Sequence, residues 1–231
     1  MTAILALDSI EFSFGDRAVL RSAYLDALAG TVTALIGRSG TGKTTLFRVL
    51  EGSLRPAAGT VRWDGVPIAR VRPEELARRG LASLPSGTWL PDHLPAGELV
   101  GMLAGVWGGR AADVLAEAGI GAVVDRPTAS LSGGERRMAE ITVALAARPS
   151  VLVLDEPFRG LAPVHRNALG VLLRRRASEG MAVLFADHDV VSVLEYADRV
   201  FSLAAGRTRL VSGFRERPVT EWYELWPSGP G

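Results

Sequence analysis

A single lysine occurs in this chain, and it closes a glycine-rich run with Gly37, Gly40 and Gly42. The segment Gly37-Arg38-Ser39-Gly40-Thr41-Gly42-Lys43-Thr44, followed by Thr45, fits the phosphate-loop pattern G-x-x-x-x-G-K-[ST]. Glycines let the backbone wrap close to phosphates with its N–H groups turned inward, and a following helix aims its positive end at them. Lys43 supplies a mobile point charge for the β- and γ-phosphates, and the Thr44 hydroxyl can hold Mg²⁺. A chance glycine-rich turn with this spacing around one lysine has odds on the order of one in a thousand. All 25 other cations are arginine, whose flat fork has the wrong shape for that slot.

A second cluster lies at Val151-Leu-Val-Leu-Asp155-Glu156-Pro157, an apolar run that ends in two carboxylates. As a buried strand it delivers both acids to its carboxyl end, where open α/β sheets bind ligands. Asp155 is placed to support Mg²⁺, and Glu156 to activate or orient the water that attacks a γ-phosphate. The alternative is a solvated strand end, which the phosphate loop upstream disfavours. Leu131-Ser132-Gly133-Gly134-Glu135 reads first as a capping box, with Ser132 as the cap and Glu135 three residues on. Capping does not explain two consecutive glycines, which weaken a helix start unless a ligand must approach the backbone. His188, between Asp187 and Asp189, follows another apolar run. A lone histidine is usually structural, but at a strand end it can donate to a γ-phosphate.

These groups need elements to position them. Ile4–Phe14 and Ala18–Leu28 read as strands around a Gly15-Asp16 turn, and Thr31–Ile36 as a buried strand. A helix is expected from Gly42 to about Leu54, and a hairpin over Thr60–Ile68 with its turn at Asp64-Gly65. A strand is taken over Leu81–Pro85. Helical stretches follow around Glu98–Val106, Ala111–Ala118 and Gly133–Ala147. Next come a strand at Val151–Leu154, a helix at Pro163–Ser178 and a strand at Ala182–Ala186. A helix at Asp189–Tyr196 and a strand at Val200–Leu203 complete the alternation. Alternating strands and helices imply a parallel sheet covered on both faces. The tail, Glu221–Gly231, is rich in Trp, Pro and Gly.

Composition narrows the function classes. A net charge of +1 provides no electrostatic footprint for nucleic acid. With no cysteine there is neither a disulfide framework nor a thiolate metal site, which fits a reducing compartment. Met1–Asp8 lacks the basic and long apolar regions of a signal peptide, and no stretch reaches the roughly 18 apolar residues of a spanning helix. Any membrane role is therefore expected to pass through a partner.

Taken in order over nearly the whole chain, these motifs resemble the nucleotide-binding subunits of ATP-binding-cassette (ABC) transporters, with LSGGE matching the family's signature. The runs SLSGGERRMAEI, LDEPFRGLAP and ADHD look most like ATPases of lipopolysaccharide-export and branched-chain amino-acid systems. The resemblance implies an α/β P-loop NTPase core with a mainly parallel sheet. It implies an N-terminal antiparallel β-subdomain (about 1–30 and 59–70) and an inserted helical subdomain (about 86–130) within one ABC ATPase domain spanning 1–231. It also implies a head-to-tail dimer, as homodimer or heterodimer, holding ATP and Mg²⁺ between Lys43 and its loop on one side and Ser132, Gly133, Gly134 and Glu135 on the other. Glu156 matches the catalytic glutamate, His188 the switch histidine, and Thr44 and Asp155 the metal-holding pair. Phe14 matches the aromatic that stacks on adenine, although beside Phe12 it reads equally well as a core strand residue. The implied partners are transmembrane permease subunits, which would place the chain on the cytoplasmic face of the membrane. Two positions depart from the family pattern: Ser86 stands for the usual glutamine and Ala162 for the usual aspartate. They open a second reading, a weakly hydrolysing heterodimer partner. A third, a non-transport cassette protein, is disfavoured by the near-neutral charge and by the lack of a second cassette or long coiled-coil insertion.

Overall fold

The computed structural model describes residues 3–108 and 111–216, so the Glu221–Gly231 tail lies outside the described residues. Two sheets are stacked. The first is antiparallel, with order β2-β1-β4-β5 from β1 (Ala3–Phe14), β2 (Arg17–Leu28), β4 (Ala58–Trp63) and β5 (Val66–Pro67). The hairpin joining β4 to β5 turns at Asp64 and Gly65, both at positive φ (48° and 77°), as the Asp-Gly pair favours. The second sheet has order β10-β9-β3-β8-β7-β6. Its strands are β3 (Val32–Ile36), β6 (Leu81–Leu84), β7 (Val151–Asp155), β8 (Ala182–Ala186), β9 (Arg199–Ala204) and β10 (Arg207–Leu210). All neighbours in it run parallel except the β9–β10 hairpin at the edge.

Alternation along the central strands divides the core in two. Val151 and Val153 of β7, with Ala182, Leu184 and Ala186 of β8, pack towards the antiparallel sheet and α1 (Lys43–Leu50). Leu152 and Leu154, with Val183 and Phe185, pack on the other face against α5 (Gly133–Ala146), α6 (Pro163–Ser178) and α7 (Val190–Tyr196). Both faces being buried explains why these strands read as unbroken apolar runs. The helices α3 (Ala96–Trp107) and α4 (Ala111–Ala118) pack on α5 and extend the same core through Val100, Ala104 and Val114.

The sequence-based expectations differ from the structure in a few places. The helix after the phosphate loop stops at Leu50, because Glu51 caps it and Gly52 (φ 82°) turns the chain towards β4. Three elements were not expected: α2 (Pro73–Arg79), a short helix opened by proline, a single 3-10 turn at Thr128–Ser130, and the edge strand β10. Each is too short for its hydrophobic period to stand out.

Candidate functional site

The loop of residues 37–42 leaves β3 and enters α1, and its shape depends on close backbone approach. Gly42 adopts φ 107°, and a Cβ there would lie 2.9 Å from Val19 Cγ1. Lys43 is buried, and its ammonium donates to the carbonyls of Gly37 (2.7 Å) and Arg38 (3.1 Å), closing the loop on itself. Thr41 Oγ1 donates to the same Arg38 carbonyl at 2.8 Å. Burial pushes the Lys43 ammonium below its ordinary range, while Glu156, Asp155 and Asp187 pull it partly back up.

The loop is tied to the end of β7 by one contact between residues far apart in the chain: Thr44 Oγ1 donates to Asp155 Oδ2 at 2.7 Å. Asp155 is 5 % exposed, and its other oxygen, Oδ1, is buried without a hydrogen-bond partner. Burial raises its carboxyl above the usual carboxylate range, against the Thr44 hydrogen bond. Among the described residues no group of three or more His, Cys, Asp or Glu could hold a metal. One carboxylate with a spare buried oxygen beside a hydroxyl suits Mg²⁺, which commonly takes few protein ligands and completes its shell with phosphates and water.

Glu156 follows with φ 47°, a left-handed backbone unusual for a side-chain-bearing residue, held by its N–H donating to the Ala186 carbonyl at 2.8 Å. His188 Nδ1 is 3.7 Å from Glu156 Oε1, and Arg159 donates to Glu156 Oε2 at 2.8 Å. Asp187, fully buried, accepts the backbone N–H groups of Phe158, His188 and Asp189, which fixes the turn that presents His188. Burial holds the Asp187 carboxyl above its usual range as well.

A cleft of about 480 Å³ brings Phe14, Ser39, Gly40, Gly42, Lys43, Thr44, Thr45 and Glu156 together with Arg17 and Val19. Phe14 is 53 % exposed and meets Phe12 edge-on (4.9 Å between centroids), so its reading as a core residue does not hold; only Phe12 is buried. Arg17 and Val19 line the cleft without any motif to announce them. A larger cavity of about 630 Å³ lies at the opposite end of the sheet. Its lining includes Asp113, Glu117, Arg148, Arg176 and Glu179 but none of the phosphate-loop or β7-end groups, so the smaller cleft is the one that gathers the candidate residues.

Ser132, Gly133, Gly134 and Glu135 do not line that cleft. The capping box is present: Ser132 N–H donates to Glu135 Oε2 at 2.7 Å, and Glu135 N–H to Ser132 Oγ at 3.3 Å. The bond from the Ser132 backbone holds the Glu135 carboxyl below its usual range. The two glycines differ. Gly133 faces open space, whereas a Cβ on Gly134 would lie 2.6 Å from the His165 ring, so packing accounts for Gly134 within the chain itself. Ser86 is exposed in the loop after β6 and is not among the residues lining the cleft. Ala162 occupies the N-cap position of α6 with no side-chain cap, a position where Asp typically contributes about 1 kcal/mol.

A family model described as "ABC transporter" matches residues 20–159. A probable ABC transporter ATP-binding protein of Azorhizobium caulinodans is 33% identical, over 93% of this chain and 79% of its own length. A lipopolysaccharide export system ATP-binding protein of Acidithiobacillus ferridurans is 32% identical, over 90% and 89%. A solved ATP-binding cassette of an ABC transporter, in its ADP conformation, superposes with a TM-score of 0.83 at 24% identity, covering 97% of this chain and 99% of that one. No helix among the described residues is long and apolar enough to cross a membrane.

Proposed function

Because this chain belongs to the ABC transporter family, we propose that it is the ATP-binding and ATP-hydrolysing subunit of a transport system, working through separate membrane-embedded subunits. The observation that carries this reading is the Thr44–Asp155 hydrogen bond, which joins the phosphate loop to the strand end bearing Glu156 within one cleft. ATP lies in that cleft with its phosphates on the backbone of residues 37–42 and on Lys43, and with its base on the exposed face of Phe14. Thr44 and Asp155 would hold Mg²⁺, which when bound neutralises charge on the phosphates. Glu156 accepts the proton of the attacking water, and His188, beside it, donates towards the γ-phosphate. Displacing the loop carbonyls from the Lys43 ammonium is the rearrangement that binding requires.

The start of α5, with Ser132 and Gly133 exposed and Gly134 and Glu135 half-buried, completes the site of a second cassette, which explains its separation from the chain's own cleft. The antiparallel sheet and the α3–α4 segment form two subdomains around the core, and the latter docks the permease on the cytoplasmic side of the membrane. Ser86 and Ala162 support a second reading, in which the chain binds ATP but needs a different cassette for turnover. ATP hydrolysis with Mg²⁺, measured against protein concentration, separates the two. Specific activity that rises with concentration identifies a competent homodimer. Binding without turnover at every concentration identifies the partner-dependent form, and absence of ATP binding would sink both.

A further inference from the structure

Helix α5 carries a charged pair deep in the core. Arg137 is 8 % and Glu140 1 % exposed, three residues apart on one helical face. Arg137 Nη1 donates to Glu140 Oε2 (3.1 Å) and to the Pro85 carbonyl (2.9 Å), and its Nη2 donates to the Asp155 carbonyl (2.9 Å). Glu140 Oε1 accepts the Trp89 N–H at 3.3 Å. The pair therefore grips both ends of the loop from Pro85 to Trp89, the loop containing Ser86, and the last residue of β7.

The bond to Asp155 matters most. Its carbonyl belongs to the same peptide unit as the Glu156 N–H, which donates to Ala186 O at 2.8 Å. That peptide plane is thus pinned from both sides, by Arg137 and by β8. The plane sets the direction in which Glu156 leaves the strand, and Glu156 has the left-handed backbone that only such over-determination holds. A buried ion pair is a poor device for stability alone, since apolar residues of similar volume often serve as well. A planar fork that meets two carbonyls and a carboxylate at once serves geometry instead.

We infer that Arg137, oriented by Glu140, is a positioning residue for hydrolysis: it locks the Asp155–Glu156 peptide and the Pro85–Trp89 loop to the helix that begins at Ser132. A shift of that helix, as when its exposed start meets a second nucleotide, is carried by Arg137 to the carboxylate. This inference rests on the reading of Glu156 as the group that acts on the attacking water.

The test is Arg137→Lys and Glu140→Gln in the full chain, with kcat, KM for ATP, affinity for a fluorescent ATP analogue and thermal midpoint all measured. Lysine keeps a cation beside Glu140 but is a point donor that cannot reproduce the fork. The expected result is kcat lowered about ten- to a hundredfold, with KM, affinity and midpoint close to wild type, because small misplacements of catalytic groups act on that scale. Glu140→Gln keeps the shape but only one of the two acceptor oxygens, and it is expected to lower kcat less because Arg137 retains its bonds to the Pro85 and Asp155 carbonyls. Unchanged kcat in both variants overturns the inference, and so does a joint fall of kcat, affinity and midpoint, or failure of both to fold, each of which marks a structural pair. Wild-type protein is assayed alongside. If it binds ATP but is inert under every condition, as the partner-dependent form would be, the reading of Glu156 as acting in a dimer of this chain falls and this inference with it; an active wild type beside unaffected variants overturns the inference alone.

Discussion

At the carboxyl ends of β3 and β7 the side chains already hold one another: Lys43 sits on its own loop carbonyls, and Thr44 meets Asp155 across the sheet. At the start of α5, Ser132 and Glu135 cap each other, with Arg126 beside Glu135, and Gly133 faces open space. The first region is tied together within one chain, with Lys43 held by the loop carbonyls that an anion would displace. The second is finished as a helix terminus and unfinished as a binding surface. On the proposed function, the contrast teaches that the chain brings one half of a nucleotide site and offers the other half outward, at the positive end of α5.

The comparison can be broken at its strongest point first. Lys43→Ala should weaken ATP binding about a hundredfold, the order of a lost charge-assisted contact, read by calorimetric titration. An unchanged dissociation constant would remove the phosphate loop from the site. At the other region, Gly134→Ala places a methyl against His165, and turnover should drop about tenfold, an overpacking-sized effect, with single-chain ATP affinity intact. Adding His165→Ala should restore turnover if packing alone sets the need for glycine. A double variant as slow as the single one would show instead that a ligand must approach that backbone.

A smaller effect separates the regions by pH. The folded-state pKa of Asp155 is raised above its ordinary value of 3.8, so the protonated form is the one the fold favours. Its contribution is fully present below about pH 3.8 and is lost as pH rises through the higher folded value. At neutral pH the buried carboxylate therefore costs stability. Asp155→Asn should raise the thermal midpoint by a few degrees at pH 7 while lowering turnover, and the gain should vanish towards pH 3.8. A midpoint difference independent of pH would contradict the assignment of burial as the cause. The smallest change is expected from Ser132→Ala, which removes one cap contact. A loss of about 1 kcal/mol, or 2–4 °C for a chain of this size, should leave ATP binding to the single chain untouched. Weakened binding there would mean that the two regions are not separate.

How far these regions could be read beforehand differs in the same way. The phosphate loop, the strand ending in Asp155 and Glu156, and the Ser132–Glu135 capping box were legible because each depends on residues adjacent in the chain. Turn geometry, capping and two-faced burial leave local marks in residue type and spacing. The family and the α/β fold followed from the order of those marks. The contact between Gly134 and His165 left no such trace, and neither did the three acceptors of Arg137 nor the exposure of Phe14 beside a buried Phe12. Periodicity says which face a residue occupies, not what stands opposite it. Thr44 and Asp155 lie 111 positions apart and meet only because β3, β8 and β7 are neighbours in the sheet. The sequence by itself thus determined which groups could bind phosphate and at which strand ends they emerge. The tertiary structure alone decided which of them touch, because strand order and helix packing bring together residues that no local pattern relates.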